Sequence, residues 1–154
     1  MEPKNLAENK AGTFSYAIRE TLTAGLKLTG PEVKAAKLGH LTLRGSFVTI
    51  RTTNGHAEVW VRGMHISPYQ PASQVQRGYN PTADRKLLLR AEEIRRLIGI
   101  STAKGLTIIP LRVYIQHSLV KMDIGVATSR TKADKREVLK KRDALRQARS
   151  ATAR

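Results

Sequence analysis

The chain has 154 residues, 40% hydrophobic and only 5% aromatic, with 28 Lys and Arg against 12 Asp and Glu, a formal net charge of +16, and no cysteine. A single domain's length of chain with that charge is drawn to phosphate-rich surfaces by counterion release, and the missing cysteines exclude disulfides, zinc–thiolate centres and thiol nucleophiles. Residues 1–12 lack the apolar stretch of a secretory leader and nowhere do 18 apolar residues run together, so a cytoplasmic protein with no membrane partner is expected.

After a polar lead-in, residues 14–22 alternate as a strand with Phe14, Tyr16 and Ile18 on one side. Ala24-Gly25 reads as a turn or bulge, and Leu26 and Leu28 resume the extended pattern. Pro31 at a first helical position, followed by Glu32, Val33, Lys34, Ala35, Ala36 and Lys37 and closed by Gly39, marks a short helix. Residues 41–43 are expected to be extended. Residues 45–52 and 57–64 form a hairpin across Thr53-Asn54-Gly55, where Asn and Gly tolerate positive φ, with Val59 and Val61 on one face and Trp60 and Arg62 on the other. Residues 67–83, rich in Pro, Gln, Ser and Gly, are expected as a long surface loop. A helix follows over residues 90–98, then a further helical turn capped by Ser101 and ended by Gly105. Residues 106–116 and 119–127 make a second hairpin across His117-Ser118, with Pro110 signalling an edge or bulge. About six strands with two or three inserted short helices suggest a mainly β chain folded as a small closed or half-closed barrel.

Residues 129–154 differ in kind. Ten basic residues face three acidic ones there, so the segment holds +7 of the +16. From Ala133 onward the composition permits helix, but Val138, Leu139, Leu145 and Ala148 make too narrow a stripe to bind a core. The expected division is a body of residues 1–128 and a tail of residues 129–154. The tail is poorly ordered alone and takes helical form on a polyanionic partner; the alternative is a solvated basic tail.

No catalytic constellation stands out. His40, His56, His65 and His117 have no ligand type at helical spacing, so neither metal nor cofactor is expected. Neither standard phosphate loop nor a Gly-x-Ser-x-Gly elbow occurs. Glu92 and Glu93 sit early in a helix, where acids favour the dipole. Few aromatics favour recognition of folded RNA by shape and phosphate contact over single-strand stacking. Tyr16 and Tyr114 are expected in packing positions.

Laid out in order, several segments carry a resemblance. Asn9-Lys10 ahead of Tyr16; Gly30 with Glu32-Val33-Lys34; His65-Ile66-Ser67-Pro68-Tyr69; Pro81 with Arg85-Lys86-Leu87-Leu88-Leu89; Lys104-Gly105-Leu106-Thr107; Pro110-Leu111; Lys121 with Ile124-Gly125; and Asp134-Lys135-Arg136 appear at family order and spacing. The chain resembles the small protein B family, the SsrA-binding proteins that work with transfer-messenger RNA in rescuing stalled bacterial ribosomes. That resemblance implies an oligonucleotide-binding-type β-barrel of six strands that holds the tRNA-like domain of transfer-messenger RNA in a one-to-one complex of a monomer. It also implies a tail that becomes helical in the empty mRNA channel of the small ribosomal subunit, near the decoding centre and ribosomal RNA.

By position, the resemblance assigns Asn9, Lys10, Tyr16, Glu32, Lys34, Lys37, Arg85, Lys86, Leu87, Lys121 and Gly125 to the RNA-facing surface. It assigns Arg130, Lys132, Asp134, Lys135, Arg136, Lys140, Lys141, Arg142, Arg146 and Arg149 to the ribosome-binding tail. An acid such as Glu32 gains nothing from phosphate; it orients Lys or Arg neighbours or accepts a hydrogen bond from RNA, and as a helix N-terminal acid it also suits the dipole. The chain departs from the family pattern at residues 11–15, which replace a basic, His-containing segment, at Asn80 and Ala83, and at Ser129, Arg130, Thr131 and Ala133. Two other classes stay open on the residues: a generic basic ribosome-associated protein without a dedicated RNA partner, and a barrel enzyme acting on RNA.

Overall fold

The computed structural model describes residues 2–72 and 77–152, Ala151 and Thr152 by backbone alone. Part of the expected loop, residues 73–76, and the last two residues of the tail, 153–154, lie outside the described residues. In chain order the elements are β1 (Lys4–Glu8), α1 (Lys10–Ser15), β2 (Tyr16–Leu26), α2 (Gly30–Lys37), β3 (Leu41–Thr42), β4 (Phe47–Thr53), β5 (His56–Arg62) and β6 (His65–Ile66). A 3-10 turn at Gln70–Ala72 leads to β7 (Arg85–Leu88), α3 (Ala91–Ser101), β8 (Leu106–Gln116), β9 (Leu119–Ser129) and α4 (Lys132–Thr152).

Seven strands form one antiparallel sheet in the order β1-β8-β9-β2-β7-β5-β4, and β3 pairs with β6. The sheet coils until β4 packs against β8, yet no ladder joins those two strands. The result is a half-closed, mainly β barrel with three short flanking helices and a basic carboxy-terminal helix, the class expected from the sequence. Inside it lie Val59, Val61, Met64, Leu87, Val113, Met122 and Ile124, each essentially fully buried.

Local chemistry explains the joints. Asn54 (φ 50°) and Gly55 (φ 78°) make the paired positive-φ turn between β4 and β5, and His117 (φ 52°) and Ser118 (φ 63°) do the same between β8 and β9. Thr29 caps α2 reciprocally with Glu32: the Glu32 amide donates to Thr29 Oγ1 at 3.4 Å and the Thr29 amide to Glu32 Oε1 at 3.0 Å. Register shifts between Pro110 and Arg112, the bulge that a proline within a strand demands.

Four expectations need correction. Phe14 and Ser15 end α1 instead of opening a strand, because Asn9 caps that helix: its Oδ1 accepts from the Gly12 amide at 3.0 Å. Ala24-Gly25 continues β2 without a turn, and the irregularity in that strand lies between Ile18 and Glu20. Ser101 is the last residue of α3, its Oγ donating back to the Ile98 carbonyl at 2.8 Å, so it caps no further turn. Nine strands are present among the described residues where about six were expected: β6 is only two residues long, β1 (KNLAE) lies in the polar lead-in, and β7 (RKLL) lacks apolar–polar alternation.

Candidate nucleic-acid interface

Glu32 and Arg85 meet across 53 positions of chain and bury each other, at 6% and 3% exposure. Arg85 donates to Glu32 Oε2 from Nε at 2.9 Å and Nη2 at 2.6 Å, to the Met64 carbonyl at 2.6 Å, and to the Tyr79 hydroxyl at 2.9 Å. Tyr79 in turn donates to Glu32 Oε2 at 3.1 Å or to the Ile66 carbonyl at 2.8 Å. Burial by itself raises the Glu32 pKa, but the Thr29 amide and the Arg85 guanidinium outweigh it and hold the carboxyl below its ordinary range. Burial and the adjoining Glu32 carboxylate push the Tyr79 phenol up to about 12. These side chains hold α2, β7 and the segment after β6 together. Glu32 and Arg85, which the resemblance assigned to the RNA-facing surface, are thus buried and spend their polar atoms on this cluster.

Three other assigned residues are also structural. Asn9 is buried, and besides capping α1 it donates from Nδ2 to the Pro110 carbonyl at 2.8 Å and from its amide to Leu111 at 2.8 Å, satisfying β8 where the β1 ladder stops. Leu87 lies in the core. Gly125 is buried where a Cβ would stand 3.1 Å from Leu111 Cδ1 and 3.3 Å from Ile18 Cδ1, so only glycine fits without movement.

The cations remain outside. Sheet register carries Lys86 and Lys121 to one outer face: Lys121 stands opposite Gly25 of β2, Gly25 opposite Leu88 of β7, and Leu88 is two residues from Lys86. Exposed Lys27 adjoins them, its amide donating to the Lys86 carbonyl at 3.0 Å. Lys34 and Lys37 project from α2, with Lys34 Nζ 5.6 Å from the Tyr69 ring centroid. Lys10 and Tyr16 sit apart from this group. The run of β2 from Tyr16 to Gly25 separates them by about 30 Å. They lie instead beside the root of α4, where the Arg130 amide donates to the Ser15 carbonyl at 2.9 Å and its Nε to the Tyr16 carbonyl at 3.1 Å.

The tail starts on a reciprocal cap. Thr131 Oγ1 accepts from the Asp134 amide, and Asp134 Oδ2 accepts from the Thr131 amide, both at 3.1 Å. Hydrogen bonding from the Thr131 backbone amide and from its side chain holds the Asp134 carboxyl below its ordinary pKa. Lys132, Arg136, Lys140, Lys141, Arg142, Arg146 and Arg149 are exposed along α4, with Lys135 half-buried. Midway along, Arg142 lies over Phe14 at 5.7 Å. On either side of it, Leu139 and Leu145 are 45% and 59% exposed.

Sequence reasoning missed one polar group and two aromatic stacks. Asp123 accepts from Thr23 at 3.0 Å, Arg112 at 2.7 Å and Tyr114 at 3.2 Å, joining β2, β8 and β9. Arg51 lies over Trp60 at 4.8 Å and Arg62 over Phe47 at 5.9 Å. Period-two alternation could have put Phe47, Trp60 and both arginines on one side of their hairpin, but not in contact. Among the described residues no cluster of His, Asp and Glu could hold a metal ion, and no helix is long and apolar enough to cross a membrane.

A family profile described as "SmpB protein" matches residues 6–154. The chain is 41% identical over 146 residues to an SsrA-binding protein of Acetivibrio thermocellus, covering 95% of this chain and 91% of that one. It is 44% identical over 141 residues to the SsrA-binding protein of Caldicellulosiruptor bescii, covering 92% and 85%. Among solved structures, a chain from "tmRNA-SmpB: a journey to the center of the bacterial ribosome" superposes with a TM-score of 0.62 at 35% identity, covering 86% of this chain and 92% of that chain. With the barrel, the buried Glu32–Arg85 pair and the basic helix in place, these matches show that the chain belongs to the SmpB protein family.

Proposed function

We propose that this chain is a non-enzymatic RNA-binding adaptor of trans-translation in the cytoplasm. It binds the tRNA-like domain of transfer-messenger RNA as a monomer, one to one. It delivers that RNA to stalled ribosomes and probes the empty mRNA channel with residues 129–154. Family membership supports this reading first. The observation that carries it is the separation of its cations into Lys27, Lys86 and Lys121 on one outer face of the sheet, with Lys34 exposed on α2, and a helix whose basic side chains project from a root beside Tyr16. A folded RNA meets the first by phosphate contact. The outer turns of α4 expose their few apolar residues and gain a partner only on a larger surface. At about 1.5 Å per residue the helix spans roughly 30 Å, a useful reach along a channel.

Changing Asp134, Lys135 and Arg136 together to Ala tests the division of labour. Tagging of stalled chains should be lost while affinity for transfer-messenger RNA at fixed salt stays within roughly tenfold, because those side chains stand outside that group of lysines. Tagging that survives while RNA binding collapses would refute it.

A further inference from the structure

The hairpin of β4 and β5 carries an outer face that the surface assigned above leaves unused. Register sets Phe47 opposite Arg62 and Thr49 opposite Trp60, so these residues share one side with Arg51 and Glu58 while Val48, Val59 and Val61 turn inward. Two guanidinium–ring stacks result: Arg62 over Phe47 at 5.9 Å and Arg51 over Trp60 at 4.8 Å. A single carboxylate, Asp84, holds both arginines in place, ion-pairing with Arg51 and with Arg62 at 3.3 Å. The Trp60 edge is fixed as well, since its Nε1 donates to Glu58 Oε2 at 3.1 Å. Phe47 is 45% exposed. Trp60 also walls a cleft of about 420 Å³ rimmed by Lys27, Asn80 and Lys86, within the usual size of ligand sites.

Unpaired nucleotides need planar surfaces for their bases and cations for their phosphates, and arginine planes serve the bases as well as rings do. We infer that the outer face of the β4–β5 hairpin is a stacking surface for unpaired nucleotides of RNA. Bases cover the Arg62–Phe47 and Arg51–Trp60 stacks, and the adjoining phosphates lie toward Lys27 and Lys86. The carboxylates of Asp84 and Glu58 keep phosphate off the hairpin itself and orient the strand toward the cleft. This inference rests on the reading of the chain as an RNA-binding protein and names the kind of RNA segment this face takes.

Trp60 is the sole tryptophan of the chain and reports directly on the site. The full-length protein is titrated at fixed salt with a short single-stranded RNA and with an abasic oligonucleotide of the same length, which keeps the phosphates and lacks the bases. The base-bearing strand should quench Trp60 and bind more tightly. Phe47→Ala should weaken its binding roughly 5- to 150-fold, the range of one lost base stack. Arg51→Lys, which keeps the charge and removes the plane, should lose the quench. Equal affinity for both oligonucleotides, or binding with no change in Trp60 emission, overturns the inference. Circular dichroism confirms that each variant folds. Transfer-messenger RNA is titrated in parallel: retained binding there alongside failure with the single strand sinks only this site, whereas failure with both sinks the proposed function too.

Discussion

Arg85 shows at the scale of one residue how this barrel uses a charge. Its donors serve Glu32, Tyr79 and the Met64 carbonyl, and none is left at the surface for phosphate. Replacing it by Ala leaves a buried carboxylate without its partner, which costs about 3–5 kcal/mol; chemical denaturation should show it as an early urea midpoint. Acid should act on the same pair. The folded-state pKa of Glu32 lies below its unfolded value, so its contribution is complete above the ordinary carboxylate pKa near 4.5 and is lost as pH falls through the lower folded value. Glu32→Gln should therefore flatten the acid limb of the stability profile between those two values. An acid limb as steep as that of the unchanged protein would remove Glu32 from the account. Of the roles open to Glu32 from the sequence, the structure shows two at once: it holds an arginine through Oε2 and caps the helix N-terminus through Oε1. The partner lies 53 positions away, and nothing local in the chain points to it.

Among the elements, α4 depends most on its first turn. Its apolar stripe buries little, so helix formation rests on propensity, on the reciprocal cap of Thr131 and Asp134, and on the root contacts of Arg130. Thr131→Ala removes the cap hydroxyl, a change worth about 1 kcal/mol of helix stability, and far-UV circular dichroism of the full chain should record fewer helical residues. Unchanged helicity would mean that the Arg130 contacts and the Arg142–Phe14 contact suffice to hold the helix without the cap. Thr131 supplies a helix start that a lysine cannot. Residues 133–154 read as helix-permissive from composition alone, and α4 occupies nearly that span; the Thr131-x-x-Asp134 spacing one residue ahead of it carries the start signal that the hydrogen bonds show formed.

On the scale of the molecule, the +16 divides along the chain into +9 over residues 1–128 and +7 over residues 129–154, and ionic strength should reveal the division. Affinity falls with salt in proportion to the phosphates neutralised. Removing residues 129–154 should leave the salt slope for transfer-messenger RNA unchanged within about one unit while lowering the slope for ribosomes by several. A slope for the RNA that drops as far as the slope for ribosomes would merge the two surfaces into one.

Composition, alternation and turn chemistry, by themselves, determined that this is a basic, mainly β protein with two hairpins, a short capped helix and a cationic tail. Those features arise from interactions between near neighbours in the chain, so they are written locally: Asn54-Gly55, Pro31 with Gly39, and the valines of β5. Only the tertiary structure decided which assigned residues reach the surface. Lys34, Lys86 and Lys121 do; Asn9, Glu32, Arg85, Leu87 and Gly125 are buried. The physical reason is that burial and pairing depend on how distant segments meet. Strand register sets Lys121 beside Gly25, and barrel coiling brings Arg85 to Glu32.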